Sequence, residues 1–419
     1  MKNQMQNSIK VKTTSLMVLL VSVFLLSALV GVNKVSAAGP YDWPMFHHDL
    51  QHTGYSTSPA PNTNQTLWDY TTGGTVYSSP AVTNGVVYVG SLDNNVYALD
   101  AATGALIWNY TTGGDVYPSP AVVDGKVFVG SSDKNVYCLN AANGALIWNY
   151  TTGNGVGSSP AVSDDRVFVG SDDNNVYCLN AATGALIWNY TTGGDVFSNP
   201  AVADGKVYVG SKDDKVYCLN AADGTLVWNY TTGGDVLTSP AVANGRVFVG
   251  SNDKNFYCLN NATGALVWNY TTSVGLMYSS PVAADDKVYV GFPGSKVCCL
   301  NAADGTLVWN YTTGGFVASS PAVADGKVYI GAADKNVYCL NAATGALIWN
   351  YITGSAVESS PAVANGVVYI GSDDKKVYAF SAGPPIPEGL TIVVMMLLAT
   401  VAVIVSIRYF RKRPKWQNW

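Results

Sequence analysis

Few residues in this chain have types and spacing that suit chemistry. Its three histidines, His47, His48 and His52, crowd into six residues near the N-terminus. Imidazoles this close are able to share a metal ion, but a solvated lead-in segment is the plainer reading. Glutamate occurs only at Glu358 and Glu388. An aspartate recurs at Asp93, Asp133, Asp173, Asp213, Asp253, Asp334 and Asp374. Each stands in a Gly/Ser/Asn-rich turn that lacks the dense acidic ligand set of a calcium loop. Asp in such a turn normally serves its own backbone. No Ser/His/Asp set, HExxH pair or phosphate-binding glycine loop occurs.

The most informative residues lie just before a recurrent Ser-Pro. Three residues before the proline stand Tyr77, Tyr117, Gly157, Phe197, Leu237, Tyr278, Ala318 and Glu358. Five before it stand Thr75, Asp115, Gly155, Asp195, Asp235, Leu276, Phe316 and Ala356, while the position between is valine in all copies but Met277. Alternation of a fixed apolar residue with free neighbours predicts an extended segment with one packed face and one open face. The open face offers aromatic walls and a few carboxylates, the composition of a binding surface.

These positions belong to a repeat that dominates the chain. Trp68, Trp108, Trp148, Trp188, Trp228, Trp268, Trp309 and Trp349 are 40 residues apart, with one gap of 41. Eight prolines (Pro80 to Pro361) and eight glycines (Gly90 to Gly371) keep step. A period near 40 residues signals a propeller or solenoid. Within one unit, Ser119–Val123, Lys126–Gly130, Asn135–Leu139 and Ala145–Thr151 read as four strands, separated by Asp-Gly, Ser-Asp and Asn-to-Gly turns. Four short strands and no space for a helix predict an antiparallel blade. Residues Gln65 to Thr71 form a lone fourth strand, and Ser359 to Ser381 lack one. The N-terminal strand is therefore expected to complete the last blade, closing an eight-bladed, all-β propeller. The eight tryptophans are expected to dock each blade on the next. In a propeller the first strand of a blade is innermost. The variable face then rings one mouth of the channel, with Tyr77, Asp115, Tyr117, Asp195, Phe197, Asp235, Leu237, Tyr278 and Glu358 as candidate binding residues.

Asn140 to Trp148, followed by Asn-Tyr-Thr-Thr-Gly, resembles the tryptophan-docking motif of pyrroloquinoline-quinone (PQQ) repeat propellers. The Ser-Pro-Ala-Val and Val-Tyr-Val-Gly-Ser stretches are similar to the rest of that repeat, and Trp43 to Gly54 to its lead-in. The resemblance spans roughly residues 43–382. It implies the propeller fold but not one function, because the family includes quinone-dependent alcohol dehydrogenases and a non-catalytic scaffold of outer-membrane protein assembly. The dehydrogenase side implies PQQ, a calcium site with Glu and Asn ligands, an Asp base and a disulfide between adjacent cysteines. Cys298-Cys299 is the only adjacent pair, but Cys299 is the ordinary repeat cysteine of Cys138, Cys178, Cys218, Cys258 and Cys339.

Charge and the termini add context. Nine of the 23 cations lie in the first 38 and last 12 residues, leaving 14 against 28 acids between them. So acidic a body excludes nucleic acid as a natural partner. Residues 1–38 read as a signal peptide and 39–64 as a lead-in. The propeller spans 65–382 and a Pro-rich linker 383–389. Residues 390–407 read as a transmembrane helix about 27 Å long, and 408–419 as a basic cytoplasmic tail. The propeller is then expected on the extracytoplasmic side of a membrane. Asn64, Asn109, Asn149, Asn189, Asn229, Asn261, Asn269 and Asn310 fit the N-glycosylation acceptor pattern of an exported glycoprotein. The expectation is a non-enzymatic, surface-anchored binding or scaffold protein with a cell-envelope protein or glycan as partner and no cofactor. The alternatives are a membrane-tethered quinoprotein oxidoreductase, which would need PQQ and calcium, and an envelope structural or adhesion protein.

Overall fold

The structure is a computed structural model that describes residues 41–382 except Val274, Leu276, Met277 and Pro293. In each repeat, short Val/Tyr/Phe runs are too brief for anything but strands, and the pairs between them adopt hairpin geometry. Asp124 and Gly125, for example, have φ of 50° and 70°, as a two-residue hairpin requires. Ala121–Val123 pairs antiparallel with Lys126–Gly130, which pairs with Asn135–Asn140, which pairs with Leu146–Thr151. The inner strand is two residues shorter than the sequence predicts. Pro120 lacks an N–H, and the Ser119 N–H is committed to the next blade.

Eight such sheets form, and each inner strand neighbours the next until that of Ala362–Ala364 returns to that of Ala81–Thr83. Closure follows the expected route. Gln65–Thr71 pairs antiparallel with Lys376–Ser381, and Trp68 stands opposite Ala379. Adjacent blades share the core. One cluster unites Phe168, Cys178 and Trp188 of the third blade with Val207, Val209 and Leu219 of the fourth, and the others repeat this pattern around the ring. The repeated glycine makes that approach possible. A Cβ at Gly130 would lie 2.5 Å from Val156 Cγ1 of the next blade.

The tryptophans dock as expected. Trp108 Nε1 donates to the Ala141 carbonyl of the next blade at 2.9 Å, and its ring lies against Gly144. Gly144 has a φ of 71°, and a Cβ there would come 2.7 Å from the ring. Trp148, Trp188, Trp228 and Trp268 repeat the bond to Ala181, Ala221, Asn261 and Ala302. Trp309 bonds to Ala342, and Trp68 closes the series on Ala101. A bulge between Leu146 and Trp148 leaves Leu146 and Ile147 both about half exposed beside the buried ring.

A belt of hydrogen bonds runs inside the ring. The Ser79 N–H donates to Ser119 Oγ at 2.9 Å, and the Ser119 N–H to Ser159 Oγ at 2.8 Å. The chain of donors continues through Asn199, Ser239, Ser280, Ser320 and Ser360. Ser360 N–H then donates back to Ser79 Oγ at 3.0 Å. Each blade thus satisfies the amide beside its proline with the hydroxyl or amide of its neighbour.

Two expectations need correction. The lead-in is not solvated. It follows the inner strands around the ring and covers their free edges. The carbonyls of Trp43, Pro44, Leu50, Gln51, Thr53 and Gly54 accept from Val82, Val122, Val202, Val242, Ala283 and Val323. Tyr55–Ser56 adds a short parallel strand beside Val323 and Ala324. Trp43, Met45, Phe46, His47 and His52 are buried in consequence.

The second correction concerns the membrane. Among the described residues there is no helix, so none is long and apolar enough to cross a bilayer. The expected signal peptide (1–38), transmembrane helix (390–407) and basic tail lie outside the described residues. The fold that the described residues support is therefore an all-β propeller. Nothing described supports a membrane partner or an extracytoplasmic, membrane-anchored location. The physical reason is local: the forty residues of each repeat are consumed by four strands and their turns.

Candidate binding site at the propeller mouth

The turns between second and third strands build one rim of the ring. Their repeated aspartates hold it together, as turn chemistry predicts. Asp133 accepts from the Asn135 N–H at 2.9 Å, the Gly113 N–H at 2.6 Å and the Tyr137 hydroxyl at 2.6 Å. Gly113 belongs to the segment arriving from the preceding blade, so one carboxylate ties strand entry to turn. Burial pushes Asp133 up, but hydrogen bonds from Tyr137, Asn135 and Gly113 outweigh it and hold the carboxyl below its ordinary value.

The variable residues before Ser-Pro lie on this same rim. The lead-in meets the opposite ends of the inner strands, where Asp42 accepts from Thr83 Oγ1 at 2.6 Å. The fixed valines between the variable positions, such as Val116, Val156 and Val196, are fully buried. The predicted packed and open faces are both present. Tyr117, Phe197 and Tyr278 are 41%, 37% and 52% exposed, large values for aromatic side chains.

The candidates do not converge on one point. Tyr117 and Phe197 line a pocket of about 430 Å³ together with Ser132, Val156, Gly157 and Asp172. Asp115 accepts from the Tyr117 hydroxyl at 2.8 Å. Asp195 pairs with Lys212 Nζ at 2.9 Å, and that ammonium stands 4.3 Å from the Phe197 ring centre. Tyr77 stacks on Tyr117, with ring centres 6.4 Å apart and planes within 12°. Across the seam, Tyr77 feels a second acidic group made of Glu358 and Asp373. Asp235, Leu237 and Tyr278 do not line the pocket.

The pocket exists because the third blade carries glycine at both variable positions. A Cβ at Gly157 would lie 3.0 Å from Phe197 Cδ1 and 3.7 Å from Asp172 Oδ1. A Cβ at Gly155 would lie 3.1 Å from Asp172 Oδ2. Asp172 and its counterpart Asp373 escaped the sequence reading. They stand one residue before the repeated turn aspartate, a position that also varies, with Leu92, Ser132, Lys212 and Ala333 in other copies. The Asp-Asp doublets at 172–173 and 373–374 were the available signal. Burial, reinforced by Asp195, pushes Asp172 up to about 6. Burial and Glu358 push Asp373 up to about 6 as well. The Oδ1 atoms of Asp172 and Asp373 are both buried without a hydrogen-bond partner.

Cys298 and Cys299 are free thiols, both buried, on a strand paired to Asn310 and Trp309. Burial pushes each up to about 12, which leaves them unreactive. Among the described residues no three His, Cys, Asp or Glu side chains stand close enough to hold a metal ion, the three histidines included. His52 Nδ1 instead lies 3.0 Å from the Pro240 carbonyl, and His47 stacks on Phe46 at 3.9 Å. The acceptor-pattern residues Asn109, Asn149, Asn189, Asn229, Asn269 and Asn310 are exposed on outer strands, opposite the docked tryptophans. Asn64 is exposed and Asn261 half-buried in a turn.

Comparison with known proteins fits this geometry. The sequence profile described as outer membrane protein assembly factor BamB matches residues 57–155, 132–215, 198–320 and 312–383. No curated protein matches the chain in sequence. Among solved structures, BamB from Moraxella catarrhalis is 19% identical with a TM-score of 0.67, covering 76% of this chain and 99% of its own. The computationally designed protein Ika8 is also 19% identical, with a TM-score of 0.69 and the same coverage. Quinohemoprotein alcohol dehydrogenase from Comamonas testosteroni is 16% identical with a TM-score of 0.70, covering 82% of this chain and 80% of its own. At such identities the structures share a fold, and a designed protein, a BamB and a dehydrogenase show how little the fold restricts function. With its eight docked blades and a profile match spanning most of its length, this chain belongs to the PQQ-repeat β-propeller family described as outer membrane protein assembly factor BamB.

Proposed function

We propose that this chain is a non-enzymatic binding or scaffold propeller that engages a partner through the mouth lined by Tyr117, Gly157, Asp172 and Phe197. The carrying observation is the distribution of change among the repeats. Docking tryptophans, turn aspartates and belt serines are nearly invariant, while variation concentrates where the pocket opens. Aromatic walls with few polar groups suit recognition.

The competing reading, a quinoprotein oxidoreductase, draws support from the fold shared with dehydrogenases. Against it stands the chemistry of the mouth. Pyrroloquinoline quinone is a polycarboxylate, and the carboxylates Asp115, Asp172, Asp195 and Glu358 stand at this mouth, where Lys212 is already paired to Asp195. The test incubates purified protein with the quinone and calcium, then reads bound-quinone absorbance and dye-linked alcohol oxidation. The proposal expects neither. Stoichiometric uptake with turnover would overturn it.

A further inference from the structure

The pocket between the second and fourth blades has a chemistry more specific than its aromatic walls. Gly157 separates two groups that converge on one space: the edge of the Phe197 ring and the Asp172 Oδ1 atom. That oxygen is buried and accepts no hydrogen bond, so a donor reaching it would satisfy an otherwise costly group. Tyr117 forms another wall, with its hydroxyl turned to Asp115. The same rim already holds one ammonium in this manner. Lys212 Nζ contacts the Asp195 carboxylate and stands over Phe197. At Asp172 the Phe197 ring presents its edge, which offers apolar contact to methylenes, while the carboxylate supplies the attraction for a cation.

We propose that this pocket binds an alkylammonium group, placing its N–H donors on Asp172 and its methylenes against Tyr117 and Phe197. The inference rests on the mouth being the binding surface, and it adds the ligand class. A free organic amine and a lysine side chain of a protein present the same group. The elevated proton affinity of Asp172 sets a condition: binding weakens as pH falls below about 6, because the neutral carboxyl loses its pull on the cation.

Calorimetric titration of the full chain tests this with three probes: n-butylammonium, a blocked lysine (N-acetyl-lysine methylamide) and its neutral counterpart N-acetyl-norleucine methylamide. The first two should bind at pH 7.5 and the neutral probe at least about tenfold more weakly. Asp172→Asn should abolish the preference for charge. Gly157→Tyr, which restores the residue of the second blade, should block all binding, and Phe197→Leu, borrowed from the fifth blade, should weaken it. A single cooperative thermal transition certifies each variant's fold. Equal affinity for butylammonium and blocked lysine identifies a free amine as sufficient. A further gain of about tenfold for a lysine-containing peptide identifies a protein side chain. Equal binding of the neutral probe, or charge preference surviving in Asp172→Asn, overturns the cation inference yet leaves the mouth as a binding surface. Failure of every probe overturns it too, and the mouth itself is judged separately by partner crosslinking.

Discussion

Trp349 Nε1 donates to the Pro61 carbonyl at 3.3 Å, where every other docking tryptophan reaches a turn of the next blade. The last blade has no such turn, because its outer strand comes from the other end of the chain. Pro61 takes the place of the missing Ala or Asn carbonyl, and the Tyr329 hydroxyl shares it at 3.0 Å. Lys327 Nζ adds a bond to the Ala60 carbonyl. The lead-in therefore fills the gap at the closure seam as well as lining the ring. Deleting residues 41–62 is expected to lower the urea midpoint and expose the seam. Hydrogen exchange should then show early opening of 322–352 and 362–381 while the outer parts of the third and fourth blades, 175–191 and 215–231, stay protected.

The docking contact should be sensitive to a single methyl group. Gly184→Ala places a Cβ 2.7 Å from the Trp148 ring at a φ of 72°. Gly205→Ala has a similar φ of 69° with nothing within 4 Å. The second variant should cost about 1 kcal/mol for backbone conformation alone. The first should cost roughly 2 kcal/mol more through overpacking. Comparing the two denaturation curves isolates the steric part.

The serine belt predicts unequal effects for two substitutions. Ser159→Ala removes the acceptor of the Ser119 N–H and should destabilise by about 1–2 kcal/mol, since a buried amide loses its partner. Asn199→Ser restores the residue used by the other blades and should be near neutral. Equal effects would show that the belt contributes nothing.

Acid should loosen the ring from within. Burial holds His52 down to about 4 and His47 well below its usual value, with the His52 charge adding to the latter. Both groups have a depressed affinity for protons in the folded state. Their contribution is present above about pH 6.5 and is lost as pH falls towards 4. Asp172 and Asp373 act in the opposite direction, since their folded values are raised to about 6. Their penalty is absent below about pH 4 and complete above 6. His47→Phe should therefore flatten the loss of stability between pH 6.5 and 4.5. Asp373→Asn should stabilise by about 1 kcal/mol at pH 7.5, after allowance for solvent screening, and by nothing at pH 4. Urea midpoints at these pH values check both signs.

What was legible in the sequence follows from what the repeat encodes. Strand order, ring closure by Gln65–Thr71, tryptophan docking and the turn role of the aspartates are the same task performed in each blade, so their spacing displays them. The path of the lead-in was not legible, because it binds through backbone carbonyls, which leave no trace in residue type. Its polar histidines suggested solvent, yet His47 and His52 are buried. At the mouth, Tyr117 and Phe197 were found by their variation, whereas Gly155 and Gly157 offered no functional group and Asp172 stood next to an explained aspartate. A pocket made by missing side chains is visible only when the neighbours that flank the gap are placed in space.

The central claim is that partners meet this protein at the mouth. Its most direct test is a photocrosslinking scan in the native host, with a photoreactive residue at position 77, 115 or 237, on the same rim but not lining the pocket, and, for comparison, at 125, 165 or 205 on the opposite rim. The account predicts a discrete adduct from the mouth positions, lost on adding Asp172→Asn or filling the pocket, and none from the opposite rim. Adducts confined to the opposite rim, or mouth adducts indifferent to pocket substitutions, would contradict it.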